Sequence, residues 1–203
     1  MTRDIVLLGG GGHCRACIDV LERGGGYTVA GIVDRPELVG ELVLGYPVTA
    51  TDDDLPGLVR RFACFLVTAG QIKSPALRLR LFETVVALGG ELPVIVSPLA
   101  YVSPHARLGA GTIVMHGAMV NAGAEVGRNC IINSRALVEH DAVIGDHCHI
   151  STGALINGGV VVGAETFWGS GAVSREGVEV GRGCVIGCNA TIKKSLPAGE
   201  ILR

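Results

Sequence analysis

Three consecutive ionisable residues, Glu139-His140-Asp141, interrupt a stretch of chain that carries few other charges. A carboxylate beside an imidazole orients the ring and raises its basicity, which a general base needs in order to work near neutral pH. His140 is therefore the candidate base and Asp141 its orienting partner. His147 and His149 follow closely. His147 is expected to face solvent, and His149 to approach His140 in space.

A second chemical signature lies near the N-terminus. Gly9-Gly10-Gly11-Gly12-His13 stands between the apolar run Ile5-Val6-Leu7-Leu8 and a helical pattern carrying Ala16, Ile18, Val20 and Leu21. Strand, glycine loop and helix, in that order, let backbone N–H groups at a helix start approach a phosphate. The next apolar run, residues 29–33, ends at Asp34, where an acidic side chain suits a ribose hydroxyl. Read as G-x-G-x-x-G from Gly9, the loop gives Gly9, Gly11 and then Cys14, so the dinucleotide fingerprint is incomplete. Cys14 and Cys17 form a C-x-x-C, but it falls inside the predicted helix and no second pair is spaced for zinc.

The elements that position these residues are of two kinds. From residue 102 to 192 the chain repeats every six residues without interruption: the positions reached from Val102 are aliphatic except Trp168 and Ser174, and those four places further on, such as Ala118, Ala124, Cys130 and Ala136, are small. Leu108-Gly109, Val126-Gly127, Ile144-Gly145, Val162-Gly163 and Val180-Gly181 add a rhythm of three hexads. An amphipathic helix would place its apolar residues differently and would tolerate so much glycine poorly. A fixed hexapeptide period signals a β-helix in which the aliphatic residue points to the axis and the small one fills a corner. Five coils from residue 108 to 197, at about 4.8 Å each, give a prism roughly 24 Å tall that buries its core by stacking.

The first half alternates strands and helices. A third strand is predicted over residues 62–68, a helix from Ser74-Pro75 to about Leu88, and a fourth strand over residues 92–96 before Ser97-Pro98 breaks the pattern. The Asp52-Asp53-Asp54 run reads as a solvated loop leading into a short helix. The fold class is thus α/β plus β, with a Rossmann-like domain over residues 1–97 and the β-helix over 98–203. The first domain is too short for two mononucleotide halves, and one nucleotide moiety suits it better than NAD.

Hydrophobic residues make up 48% of the chain and the mean hydropathy is +0.46, high enough to raise a membrane question. The longest uncharged runs, residues 108–124 and 148–164, contain His, Asn and several glycines and fall short of a span. No signal peptide is visible, and a soluble cytoplasmic protein is expected. A net charge of −2 without a basic cluster offers nothing to a nucleic-acid backbone. Seven cysteines is an odd number, and Cys130, Cys148 and Cys184 fill small corner positions, so buried thiols are expected and not disulfides.

Histidines on a β-helix also suggest a trimeric γ-type carbonic anhydrase with zinc on three histidines, provided they fall in register on successive coils. The whole chain, however, resembles the PglD/NeuD-type bacterial sugar O/N-acyltransferases, which pair a small nucleotide-sugar domain with a left-handed β-helix of hexapeptide repeats. The residues that carry the resemblance are Gly9 to His13, the run from Ile132-Asn133 through Val138-Glu139-His140-Asp141, Ile144-Gly145-Asp146, and His149-Ile150-Ser151. It implies a homotrimer whose active sites lie between neighbouring prisms, with acetyl-CoA as co-substrate and no metal. His140 matches the family's general base and Asp141 its carboxylate partner. His149 matches a residue near the thioester, Gly158 one whose backbone N–H can face the thioester carbonyl, and Ser170 and Cys188 are further coenzyme-binding positions. Gly11, Gly12, His13, Asp34, Arg35, Gly70 and Asn133 match substrate-binding positions. Ala69-Gly70-Gln71 stands where many relatives carry a Gly-Asn-Asn type sequence, and the chain ends at Arg203, ahead of a Gly-x-Pro-Ala segment that would complete the coenzyme edge.

The resemblance and the nucleotide domain together imply N-acetylation of the amino group of a nucleotide-linked 4-amino-4,6-dideoxy sugar in surface-glycan biosynthesis. The amine would attack the thioester directly, with no acyl-cysteine, because Cys148 sits at a corner and a buried thiol is a poor nucleophile. O-acetylation of a sialic-acid-like sugar and a non-catalytic nucleotide-sugar-binding trimer are the alternatives.

Overall fold

The computed structural model describes residues 2–203, which fall into two compact units: residues 2–70 with 76–93, and residues 71–75 with 94–203.

The first unit is built on β1 (Arg3–Leu8), whose last four residues are all buried, as expected of a central parallel strand. After it come α1 (Gly12–Gly24), β2 (Tyr27–Val33), the hairpin of β3 (Leu42–Val43) and β4 (Tyr46–Ala50), α2 (Leu55–Arg61), β5 (Cys64–Val67) and α3 (Ala76–Ala87). The sheet order is β3-β4-β2-β1-β5, parallel except for the β3–β4 hairpin. That hairpin turns through Leu44 and Gly45, both at positive φ (51° and 87°). The turn type favours Asn-Gly, and its absence here hides the hairpin from a reading of the sequence. Asp52–Asp54 is not a merely solvated loop. It forms a 3₁₀ turn in which the Asp54 carboxylate accepts from the Thr51 N–H (2.8 Å) and hydroxyl (3.0 Å), while Asp52 pairs with Arg80 (2.8 Å). Arg78, fully buried, donates from Nη1 to the carbonyls of Val67 and Ala69 (2.8 and 2.7 Å) and so fixes the chain where it leaves β5.

The second unit is a three-sided parallel β-helix. Two-residue strands stack into sheets of seven, six and five strands, one per face. In each strand the second residue points to the axis: Val114, Ile132, Ile150, Trp168 and Ile186 form such a column on the first face, all with 0% exposure. Residue pairs such as Val120↔Val138 and Ile150↔Trp168 confirm a coil of three hexads. The Leu/Val-Gly rhythm has a steric cause. A methyl group on Gly109, Gly145 or Gly163 would lie 2.4–2.6 Å from backbone atoms of the next coil.

Corner side chains close the coils. The Thr112 hydroxyl donates to the Gly127 carbonyl (2.7 Å), and the Cys130 and Cys148 thiols donate to the carbonyls of Gly145 (3.2 Å) and Gly163 (3.3 Å). Burial pushes the Cys148 thiol well above its ordinary pKa, which suits a corner filler and not a nucleophile. Among the described residues none of the seven cysteines is in a disulfide.

Residues 92–96 do not add a fourth strand to the first sheet. Ile95–Val96 pairs with Ile113–Val114 as the first rung of the β-helix, and the units change over between Pro93 and Val94. Val96 already has the axial phase of the hexads, so the repeat begins one hexad before Val102. At the other end the register shortens: Val180 faces Leu196 and not Ala198, and Ile201–Leu202 then closes on Val185–Ile186. Among the described residues no helix is long and apolar enough to cross a membrane.

Candidate active site

His140 and Asp141 occupy the corner between strands Leu137–Val138 and Val143–Ile144. Asp141 adopts φ 59°, its N–H donates to the Ala122 carbonyl of the preceding coil (3.1 Å), and its carboxylate lies 2.9 Å from His140 Nδ1. An ionised carboxylate only accepts, so Nδ1 carries the hydrogen and Nε2 presents its lone pair. Both side chains are largely exposed. The hydrogen bond that His140 donates to Asp141, with the charges of Asp141 and Glu139 behind it, raises the His140 pKa above its ordinary value. Glu139 is itself held, accepting from Asn121 Nδ2 (2.9 Å) and from the His140 N–H (3.2 Å).

One coil on, at the same corner, lies Gly158. Its carbonyl accepts from Gly177 N–H (3.0 Å), whereas its own N–H meets no acceptor among the described residues. The corner thus brings together an imidazole whose Nε2 meets no hydrogen-bond partner among the described residues and an unused backbone donor.

His149 belongs to a different place. It sits on the seven-stranded face in the strand His149–Ile150, only 7% exposed, with Phe167 edge-on at 5.3 Å. Its ring is oriented at both nitrogens: Nδ1 donates to the Gln71 carbonyl (2.6 Å), and Nε2 lies 3.0 Å from Asn133 Nδ2. The Asn133 amide cannot be turned round, because its Oδ1 accepts from the Ser134 N–H (2.8 Å). His149 is therefore a neutral acceptor at Nε2, tied to residues 71 and 133 and not to His140, and the expected approach of the two histidines is corrected. His147 is corrected as well. It is 5% exposed, with Asn129 Nδ2 3.0 Å from its Nδ1, because its positive φ (59°) turns the ring back along the corner stack. Ser170 and Cys188 stand on successive coils at the corner after the seven-stranded face, the Ser170 hydroxyl 2.9 Å from that of Ser151 and Cys188 exposed. The described residues hold no group of three or more His, Cys, Asp or Glu placed to bind a metal ion.

In the first unit, a cleft of about 410 Å³ opens where β1, β2, β4 and β5 end, lined by Gly9, Asp34, Arg35, Thr51, Ala69 and Arg80 among others. This is the usual ligand edge of an open α/β sheet. Asp34 spans it: Oδ2 accepts from the Gly10 N–H (2.5 Å) and Oδ1 from the Arg35 N–H (2.8 Å). Gly9, at φ 108°, must be glycine, since a Cβ would lie 2.8 Å from the Ala69 nitrogen. Gly11 and Gly12 begin α1 with no atom within 4 Å of an added Cβ, so packing does not keep them small. His13 Nε2 lies 3.4 Å from the Cys17 thiol, and burial pushes the Cys14 thiol up to about 11. Gly11, Gly12, His13 and Gly70 lie outside the lining of this cleft. Arg80 and Thr51, which do line it, carried no signal in the sequence beyond their nearness to the aspartate run.

Comparison with known proteins follows this division. The PglD N-terminal domain model matches residues 4–85, and the bacterial transferase hexapeptide model (six repeats) matches residues 123–158. A histidine-to-asparagine mutant of perosamine N-acetyltransferase from Caulobacter crescentus, solved in complex with CoA and GDP-perosamine, is 35% identical over 98% of this chain and 92% of its own, with a TM-score of 0.91. The acetyltransferase domain of PglB from Neisseria gonorrhoeae, in complex with acetyl coenzyme A, is 33% identical over 99% of this chain and 96% of its own, with a TM-score of 0.90. WeeI from Acinetobacter baumannii shares the fold at 21% identity, covering 98% of this chain and 96% of its own, with a TM-score of 0.86. No curated protein matches by sequence. With two full-length relatives above 30% identity and both family models in the expected halves, the chain belongs to the PglD-like bacterial sugar acetyltransferases.

Proposed function

We propose that the protein transfers the acetyl group of acetyl-CoA to the amino group of a nucleotide-linked 4-amino-4,6-dideoxy sugar, in the assembly of a surface glycan. The observation that carries this reading is the corner where His140 Nε2 stands against Gly158, with Asp141 fixing the tautomer. In it, His140 takes the proton of the attacking amine, Asp141 stabilises the imidazolium, and the Gly158 N–H receives the oxygen on which charge develops. The relative that binds CoA and GDP-perosamine and the one that binds acetyl coenzyme A support both substrate classes. The cleft at Asp34 is assigned to the nucleotide. His149, Asn133, Ser170 and Cys188 are assigned to the surroundings of the coenzyme and sugar, and Gly11, Gly12, His13, Arg35 and Gly70 to those of the nucleotide. Seven cysteines outside any disulfide go with a reducing, cytoplasmic setting.

A homotrimer is part of the proposal. The six-stranded face turns Tyr101, Met119 and Leu155 outward, 53%, 42% and 38% exposed, and they continue Leu137 and Val173 into an apolar column beside the His140 corner. An uncovered column of this kind favours association.

The deciding experiment incubates the protein with acetyl-CoA and a panel of UDP-, GDP- and dTDP-linked amino and hydroxy sugars, following release of free thiol. Release with an amino sugar and not with its hydroxy counterpart is expected. Release only with hydroxy acceptors would transfer the reading to O-acetylation, and absence of acetyl-CoA binding by calorimetry would leave a non-catalytic binder.

A further inference from the structure

Most glycines of the β-helix have an evident reason to be glycine. Some adopt positive φ, as Gly123, Gly153, Gly159 and Gly177 do, and others lie so close to the neighbouring coil that a Cβ would strike its backbone, as at Gly109, Gly145 and Gly163. Gly158 fits neither class. Its φ lies outside the left-handed region, and the nearest atoms to an added Cβ are all from the His140 ring: Nε2 at 2.7 Å, Cε1 at 2.8 Å and Cδ2 at 3.3 Å. The residues one coil either side of this pair at the same corner are Ala122 and Glu176, so nothing in the repeat itself calls for glycine here.

We propose that Gly158 is a positioning residue for His140, the missing side chain being the space in which the imidazole lies. The inference rests on His140 being the base and adds to the role of the Gly158 N–H. The ring is two-thirds exposed and, among the described residues, anchored only through Nδ1 to Asp141. Held against Gly158 of the next coil, it keeps Nε2 within about 5 Å of the Gly158 nitrogen, since Cβ and N of one residue are fixed by covalent geometry. A donor for the developing oxyanion and a base for the attacking amine are thereby set one reacting carbonyl apart. A methyl at position 158 would swing the ring outward at little cost to the fold, because the atoms it displaces are the far end of an exposed side chain.

The test is Gly158→Ala alone and combined with His140→Ala, compared with His140→Ala and the parent protein. Gly158→Ala is expected to unfold at the parent's temperature, to bind acetyl-CoA with unchanged affinity by calorimetry, and to lose kcat on the order of 10²-fold, the scale at which misplacement of a reacting group is felt. In the His140→Ala background it should change kcat no further. Full turnover by Gly158→Ala, with His140→Ala impaired, would overturn the positioning role and leave the base assignment standing. Weakened acetyl-CoA binding, or an added loss in the double variant, would also overturn it by showing that the methyl obstructs the coenzyme. Unimpaired His140→Ala would instead overturn the base assignment itself.

Discussion

The His140 imidazole accepts a proton only while neutral, yet the Asp141 carboxylate that fixes its tautomer also raises its pKa above the ordinary histidine value. The sign of the pH dependence follows: turnover rises with pH through the raised pKa and falls on the acid side. Replacing Asp141 with Asn removes the principal cause of the shift, so the acid limb of kcat should move to lower pH even as its plateau drops. A limb that stays in place would assign the titration to another group. His140→Ala should lower kcat roughly 10²- to 10⁴-fold, the usual worth of a positioned base, with acetyl-CoA affinity unchanged by calorimetry. Asp34 carries a separate prediction. Its carboxylate joins the Gly10 N–H to the end of β2 inside the cleft. Asp34→Ala should therefore weaken binding of the nucleotide sugar and leave that of acetyl-CoA intact, and calorimetry with each ligand alone separates the two.

Elements decide how far a sequence can be read. The six-residue period imposes one constraint on every coil, so the axial column, the small corners and the closed stack were all legible before any coordinates. So was the adjacency of His140 and Asp141, which depends on no distant contact. What escaped the sequence depends on backbone conformation or on contacts made across the chain. His147 and His149 lie only two positions apart, but one turns at a positive-φ corner and the other stands on a strand, and neither orientation is written in residue type. Residues 92–96 look like any apolar strand, and only pairing with Ile113–Val114 shows which sheet they join. The stacked glycines permit a test of the element itself. At Gly145 a methyl would lie 2.5 Å from the Ala164 nitrogen, and backbone cannot swing away as a side chain can. Gly145→Ala should thus cost about 1–3 kcal/mol, as overpacking does, and lower the midpoint of thermal unfolding, whereas Gly158→Ala should not.

At the scale of the whole molecule, the outward column on the six-stranded face has to be reconciled with a surface that water must wet. Tyr101, Met119, Leu137, Leu155 and Val173 follow one another up that face, and beyond the His140 corner Val143 and Val161 continue the apolar surface onto the five-stranded face. Charges return at the rim, where Arg107 pairs with Glu125 (3.1 Å). An apolar patch with a polar rim is the anatomy of an interface, and a second copy of the chain seated there would lie against the corner that holds His140. Exposed as it is, the imidazole would then work in a partly desolvated cleft supplied by association, where its hydrogen bond to Asp141 counts for more. Met119→Glu combined with Leu155→Glu should therefore do two things at once: reduce the mass seen by light scattering from three chains to one, and abolish turnover although His140, Asp141 and Gly158 are untouched. Because both substituted side chains point away from the axis, the thermal transition of the isolated chain should remain cooperative. A parent protein that scatters as a single chain, or a dissociated variant that turns over at the parent rate, would show that the corner is complete within one chain.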